Sequence, residues 1–172
     1  MKNRYETLGE TTVIFIKRRN GDVFNTFIDT SDLEKVDSFP GSWFVNYNKK
    51  TESYYVMGNT KNKDGKPALI GMHRYILDAP TDRFVDHIDR NTLNNKRNNL
   101  RIVTLSENNQ NTRIQKNNTS GARGVIWDKD KKKWRATVKY NGKVYYFGYH
   151  RTVEGASLAA REGRKKLLPF AN

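Results

Sequence analysis

Apolar runs of strand length, separated by turn signals, dominate the first half of the chain. Thr11-Thr12-Val13-Ile14-Phe15-Ile16 meets Arg19-Asn20-Gly21-Asp22 and resumes as Val23-Phe24-Asn25-Thr26-Phe27-Ile28, which predicts a hairpin. Asp29-Thr30-Ser31-Asp32 opens a short irregular or helical piece that Pro40-Gly41 breaks. Trp43 to Tyr47 and Tyr54 to Met57 predict further strands, and Asn62-Lys63-Asp64-Gly65-Lys66 another turn. The stretch from Ala68 to Leu77 begins as a strand and passes into a short helix before Pro80.

The central segment, from Phe84 to about Thr112, has a different rhythm. A short strand, Val85-Asp86-His87-Ile88-Asp89, leads into an Asn-rich loop and a second apolar strand after Asn98-Asn99-Leu100-Arg101. Thr104-Leu105-Ser106-Glu107 fits a capping box, which predicts a helix start at Thr104. The polar stretch Gln115 to Gly121 reads as a linker. Beyond it come Gly124-Val125-Ile126-Trp127, then Trp134 to Tyr140, the hairpin signal Asn141-Gly142, and Val144 to Gly148. Thr152 can cap a final helix whose inner stripe is Val153, Ala156, Ala160 and Leu167.

Composition narrows what these elements can do. The chain has 172 residues, 35% hydrophobic, so any core is modest and divided. It carries 32 Lys/Arg against 18 Asp/Glu, a net charge of +14, which attracts polyanions at long range. Residues 117–172 hold 13 of the basic and 4 of the acidic residues, a net of +9, so the last third is the more basic part. Aromatic residues are interleaved with that charge, which makes nucleic acid the leading partner. There is no cysteine, which excludes disulfides and thiolate zinc sites. No secretory h-region and no apolar stretch of membrane-spanning length is visible, so an intracellular protein without a membrane partner is expected.

Candidate chemistry centres on Asp86 and His87. Neighbours in a regular strand point to opposite faces, so both serve one centre only at a strand end or a local twist. A hard cation such as Mg²⁺ prefers oxygen ligands and keeps several waters; the Asp86 carboxylate and the Asn108 amide suit that preference. A neutral imidazole at His87 can take a proton from an attacking water near neutral pH. These parts suffice for phosphodiester hydrolysis.

In that order, His73-Arg74-Tyr75, Val85-Asp86-His87-Ile88-Asp89, Asn98-Asn99-Leu100-Arg101-Ile102-Val103-Thr104 and Glu107-Asn108 resemble the HNH endonucleases, in the homing-endonuclease branch with a ββα-metal core. The resemblance implies that Asp86 and Asn108 bind the metal, that His87 activates water, and that Asn99 organises the loop by holding His87. It matches His73 to a histidine of the preceding strand. The last motif position is His in many such enzymes and Asn here, and an oxygen pair favours Mg²⁺, or Mn²⁺, over zinc. No structural zinc is expected.

Residues 119–168, with Ser120-Gly121-Ala122-Arg123-Gly124-Val125, Trp134-Arg135-Ala136-Thr137-Val138, Gly142-Lys143, Phe147-Gly148-Tyr149 and Glu154-Gly155-Ala156, resemble the AP2 DNA-binding domain. That resemblance implies a three-stranded sheet entering the DNA major groove, backed by the helix. Strand alternation independently turns Val125, Trp134, Ala136, Val138, Tyr145 and Phe147 toward the helix. It leaves Arg135, Thr137, Lys139 and Tyr146 on the opposite face, with Arg123 nearby and Lys143 at the hairpin turn. His150, at the end of the third strand, reads as structural or surface.

The expected fold class is α+β: a β-rich N-terminal region (1–45), an HNH core (46–114), a linker (115–120) and a small AP2-like sheet plus helix (121–172). The expected function is metal-dependent cleavage of double-stranded DNA by a monomer of phage or mobile-element type, with no small-molecule cofactor. The alternatives are a DNA-binding regulator with an inactive nuclease core, and an RNA-binding module.

Overall fold

The β-branched and aromatic runs form strands, and every strand pair is antiparallel. A computed structural model describes residues 1–111, 114, 118–168 and 170. They divide into two compact units, Met1–Leu105 and Ser106–Asn172. The expected linker falls partly outside the described residues, at 115–117. No helix among the described residues is long and apolar enough to cross a membrane.

In the first unit, β1 (Tyr5–Leu8), β2 (Thr11–Lys17) and β3 (Val23–Asp29) form one sheet in that order. The predicted hairpin is β2–β3, in register from Thr11↔Asp29 to Lys17↔Val23. β1 has no apolar alternation and all four of its residues are exposed, which explains its silence in the sequence pattern. A 3₁₀ turn (Thr30–Asp32) and α1 (Leu33–Asp37) follow. A second sheet holds β4 (Trp43–Asn48), β5 (Ser53–Lys61) and β6 (Pro67–Gly71). The chain then turns into α2 (Met72–Ile76), where Met72 and Ile76 are both fully buried at helical spacing.

The shared core joins Ile14, Ile16 and Ile28 of the first sheet to Val36, Phe39, Trp43, Val56, Met72, Ile76 and Leu100. Trp43 stacks on Phe39 at 4.2 Å and donates its indole N–H to Val36 O at 3.2 Å. The N-terminal strands are therefore integral to this unit.

β7 (Phe84–His87) and β8 (Leu100–Val103) form a two-stranded hairpin, followed by α3 (Leu105–Asn108), a single turn beginning after Thr104. The loop between β7 and β8 has almost no apolar residues and is held by polar bonds to β3. Phe27 of β3 exchanges two backbone bonds with it: Phe27 N donates to Leu93 O at 3.0 Å and Asn95 N to Phe27 O at 2.7 Å. The Asp29 carboxylate accepts the Arg97 backbone N–H at 2.7 Å. The Arg97 guanidinium makes a forked contact with buried Asp32, at 2.6 to 3.0 Å.

In the second unit, β9 (Val125–Asp128), β10 (Lys133–Tyr140) and β11 (Lys143–His150) form a sheet in the order β11-β10-β9. α4 (Val153–Leu167) packs on it, and Thr152 caps the helix by accepting the Gly155 N–H. Val125, Ala136, Ala156 and Ala160 form the core, with Trp134 and Phe147 against it. A Cβ on Gly163 would lie 2.5 Å from the Phe147 ring, so only glycine lets helix and ring approach this closely. Asn141 and Gly142 both take positive φ, as a tight hairpin of this type requires.

Removing Arg97 leaves the Asp32 carboxylate buried without its main partner. We predict that Arg97→Ala lowers the unfolding free energy of the first unit by about 2–3 kcal/mol, less than for a fully buried pair because half of the arginine is exposed. Urea unfolding followed through Trp43 fluorescence, in a background with Trp127 and Trp134 replaced by Phe, measures it.

Candidate active site

His87 is the last residue of β7, where the strand ends in a turn made by Arg90 at positive φ. This is the strand-end position that the neighbouring Asp-His pair requires. Asp86 sits opposite Arg101 in the hairpin register, and its Oδ2 accepts from Arg101 Nε at 2.9 Å and Nη2 at 2.6 Å. Asp86 and His87 are both buried, at 9% and 4% exposure.

The His87 ring lies among aromatic and amide groups. His73 is 5.1 Å away and Tyr55 6.2 Å away, centroid to centroid, both edge to face. His87 Nε2 lies 3.3 Å from Asn95 Oδ1. Asn95 in turn donates Nδ2–H to Thr26 Oγ1 at 2.8 Å, and the Thr26 hydroxyl donates to Leu93 O at 2.7 Å. Asn95 and Thr26 are fully buried.

Asn99 is bonded to the backbone of the loop. Its Oδ1 accepts the Asp89 N–H at 2.9 Å, its Nδ2 donates to Asn94 O at 2.8 Å, and its carbonyl accepts the Ile88 N–H at 2.8 Å. The contact to His87 Nε2 is made by Asn95, four positions before Asn99. Asn98 and Asn99 directly precede β8, whereas Asn95 lies deeper in the loop.

His73 lies in α2 instead of a strand, because helical burial of Met72 and Ile76 sets the backbone there. Its Nδ1 is buried without a hydrogen-bond partner, and burial, with the nearby charges of His87 and Arg74, lowers its pKa from 6.5 to about 3. Burial lowers the His87 pKa too, against the raising effects of Asn95, Asp86 and Asp89. Both rings are therefore neutral near pH 7, the form that can accept a proton. Asp89 is also shifted: burial raises its pKa, but hydrogen bonds from Asn94, the Asn91 N–H and Asn99 outweigh this and hold it below the ordinary range.

Among the described residues, no three His, Cys, Asp or Glu side chains converge as a cage for a metal. An ion that keeps waters and substrate oxygens needs fewer protein ligands. The two oxygens of Asp86 offer about four lone-pair positions, enough to take the Arg101 bonds and a cation together. The donor chemistry thus fits a hard divalent ion. Asn108 is the last residue of α3 and belongs to the second unit.

In the second unit, the strand face opposite α4 carries Arg135, Thr137, Lys139 and Tyr146. Thr137 pairs with Tyr146 across the strands, and the Arg135 guanidinium lies 5.8 Å from the Tyr146 ring centroid. Lys139, Lys143 and Tyr146 are exposed, Tyr146 at 66%. Thr137 Oγ1 donates to Gly124 O at 3.3 Å, and Arg123 Nη1 donates to Gln110 O at 2.7 Å, so these two side chains also serve the scaffold.

The register between β10 and β11 shifts after Arg135, which pairs with Tyr149. The bulge lies at Gly148, with φ of +96°, and His150 Nε2 bridges it to Phe147 O at 3.1 Å. The shift brings Tyr149 onto the Arg135 face, a residue that simple alternation missed although a glycine inside a strand is a bulge signal. Tyr145, expected against the helix, is 38% exposed and outside the core cluster. It sits near the hairpin turn, and α4 closes on Phe147 and Trp134 instead.

A histidine lowered in the folded state costs stability on acidification: its contribution is complete above the unfolded value of 6.5 and is lost as pH falls toward about 3. We predict that the first unit weakens through this window, and that His73→Phe flattens the decline by up to one proton, about 1.4 kcal/mol per pH unit. Urea midpoints at a series of pH values test this; parallel profiles for the two proteins would contradict it.

Residues 79–110 match a family model described as HNH endonuclease. The chain is 43% identical over 92 residues to "Protein 3.8" of Escherichia phage T7, across 54% of this chain and 76% of that protein. No solved structure matches. The chain belongs to the family of the phage T7 Protein 3.8, and its HNH endonuclease segment contains Asp86, His87, Asn95, Asn99 and Asn108.

Proposed function

We propose that this protein is a divalent-metal-dependent endonuclease of phage or mobile-element type that hydrolyses phosphodiester bonds of double-stranded DNA. The observation that carries the proposal is the placement of His87: a neutral imidazole at a strand end, anchored through Nε2, beside a buried carboxylate in the HNH segment. His87 acts as general base, taking a proton from water as the water oxygen attacks phosphorus and the bond to the 3′ oxygen breaks. Asp86 and Asn108 would hold the metal, Mg²⁺ or Mn²⁺, with Arg101 fixing the orientation of the Asp86 carboxylate. When bound, the cation supplies positive charge to the scissile phosphate and the leaving oxygen. His73 and Tyr55 wall the imidazole and keep it from turning. Asn99 keeps the loop in shape.

The basic second unit would bring the DNA. Its three strands and small-residue helix support an AP2-like mode, with Arg135, Thr137, Lys139 and Tyr146 on the exposed face and Arg123 and Lys143 at its margins. Arginine can read guanine in the major groove, whereas lysine mostly contacts phosphate.

Purified protein with Mg²⁺ should nick or cut plasmid DNA, and His87→Ala should lose roughly 10²–10⁴-fold in rate. Cleavage that persists in EDTA, or undiminished in His87→Ala, would refute the mechanism; binding without cleavage in every divalent metal would favour a regulator with an inactive core. Lys139→Ala should weaken binding similarly on all duplex sequences and reduce the salt slope by about one. Titrations of a labelled duplex at several salt concentrations measure this, and tighter binding to RNA would exclude the AP2-like mode.

A further inference from the structure

The buried relay behind His87 has a direction, and the direction fixes which imidazole nitrogen reacts. Leu93 O is a carbonyl and can only accept. It accepts from the Thr26 hydroxyl at 2.7 Å, which commits the single proton of that hydroxyl. Thr26 Oγ1 can then only accept from Asn95, so the Asn95 atom facing it, at 2.8 Å, must be the NH₂ nitrogen. The Asn95 oxygen is left facing His87 Nε2 at 3.3 Å, and an oxygen there accepts only if Nε2 carries the proton. Asn95 and Thr26 are both fully buried, so water does not offer an alternative arrangement.

We propose that Asn95, oriented by Thr26 of the N-terminal sheet, is the positioning residue that holds His87 in the Nε2–H form and leaves Nδ1 as the proton acceptor. The proposal rests on His87 being the general base. It gives the N-terminal sheet a task in the chemistry: Thr26 is 69 positions from Asn95 in sequence, and β3 supplies it from an otherwise structural hairpin. A serine tolerates the same role; a valine matches threonine in shape but cannot accept from the amide, so Asn95 is released to turn over and present its NH₂ to the ring.

The test reads the ring directly. Two-bond ¹H–¹⁵N correlation spectra of ¹⁵N-labelled protein, without metal or DNA and near neutral pH, distinguish the two imidazole tautomers. The expected result is a single Nε2–H form for His87, assigned with His87→Ala. Thr26→Val should give a mixture of tautomers and a kcat for plasmid cleavage about 10-fold or more lower, with KM unchanged, and Thr26→Ser should restore both. An Nδ1–H form in the unsubstituted protein overturns the proposal, and needs no variant to fold. So does a Thr26→Val protein with unaltered tautomer and kcat. Loss of the endonuclease reading shows separately, as absent cleavage with the Nε2–H signature intact.

Discussion

The structure of this site depends on the attachment of one polar loop to one strand. The segment between β7 and β8 has too little apolar surface to fold by burial, and it is held by hydrogen bonds to β3. Backbone bonds join Phe27 to Leu93 and Asn95, Asp29 accepts the Arg97 N–H, and the amide of Asn95 reaches Thr26. Buried polar groups left unpaired cost far more than paired ones contribute, so such a loop is held in one arrangement or not at all. Asparagine suits the task because one neutral side chain donates and accepts. Asn95 and Asn99 use both ends, donating to Thr26 and to Asn94 O and offering Oδ1 to His87 and to the Asp89 N–H, while Asn91 accepts from the Leu93 N–H and Asn94 donates to Asp89.

That attachment explains how a two-stranded hairpin can carry chemistry. An isolated hairpin of four-residue strands is marginal in water. Here its loop-side end is tied through Leu100 to a core spanning two other sheets, and its loop is tied to β3. Rigid support allows His87 to stay buried and neutral beside Asp86. The second unit has a small core of Val125 and three alanines, and its charge and exposed aromatic face suit a polyanion.

Local patterns were legible in the sequence where one physical cause dominated. The β-branched runs predicted β2, β3, β4 and β5; Asn141-Gly142 predicted its hairpin; and Thr152 predicted the start of α4. The ordered Asp, His and Asn residues of the central segment led to the HNH family. β1 was invisible because none of its residues is buried. Asn95 was invisible because its importance comes from a partner 69 positions away, and within the loop it looks like any other asparagine. Simple alternation along β11 failed at Gly148, where the bulge reverses the faces and brings in Tyr149. The passage from strand to short helix between Ala68 and Leu77 was legible, and His73 falls in its helical part, whereas the HNH resemblance had matched it to a strand.

The central claim is that a neutral His87, held in place from behind, activates water against a DNA phosphodiester. The chemistry of the cut ends tests it most directly. Plasmid DNA incubated with purified protein and Mg²⁺ should yield ends carrying 5′ phosphate and 3′ hydroxyl, since attacking water places its oxygen on phosphorus and expels the 3′ oxygen. Ends bearing 3′ phosphate, or intact DNA with every divalent metal tried, would contradict it.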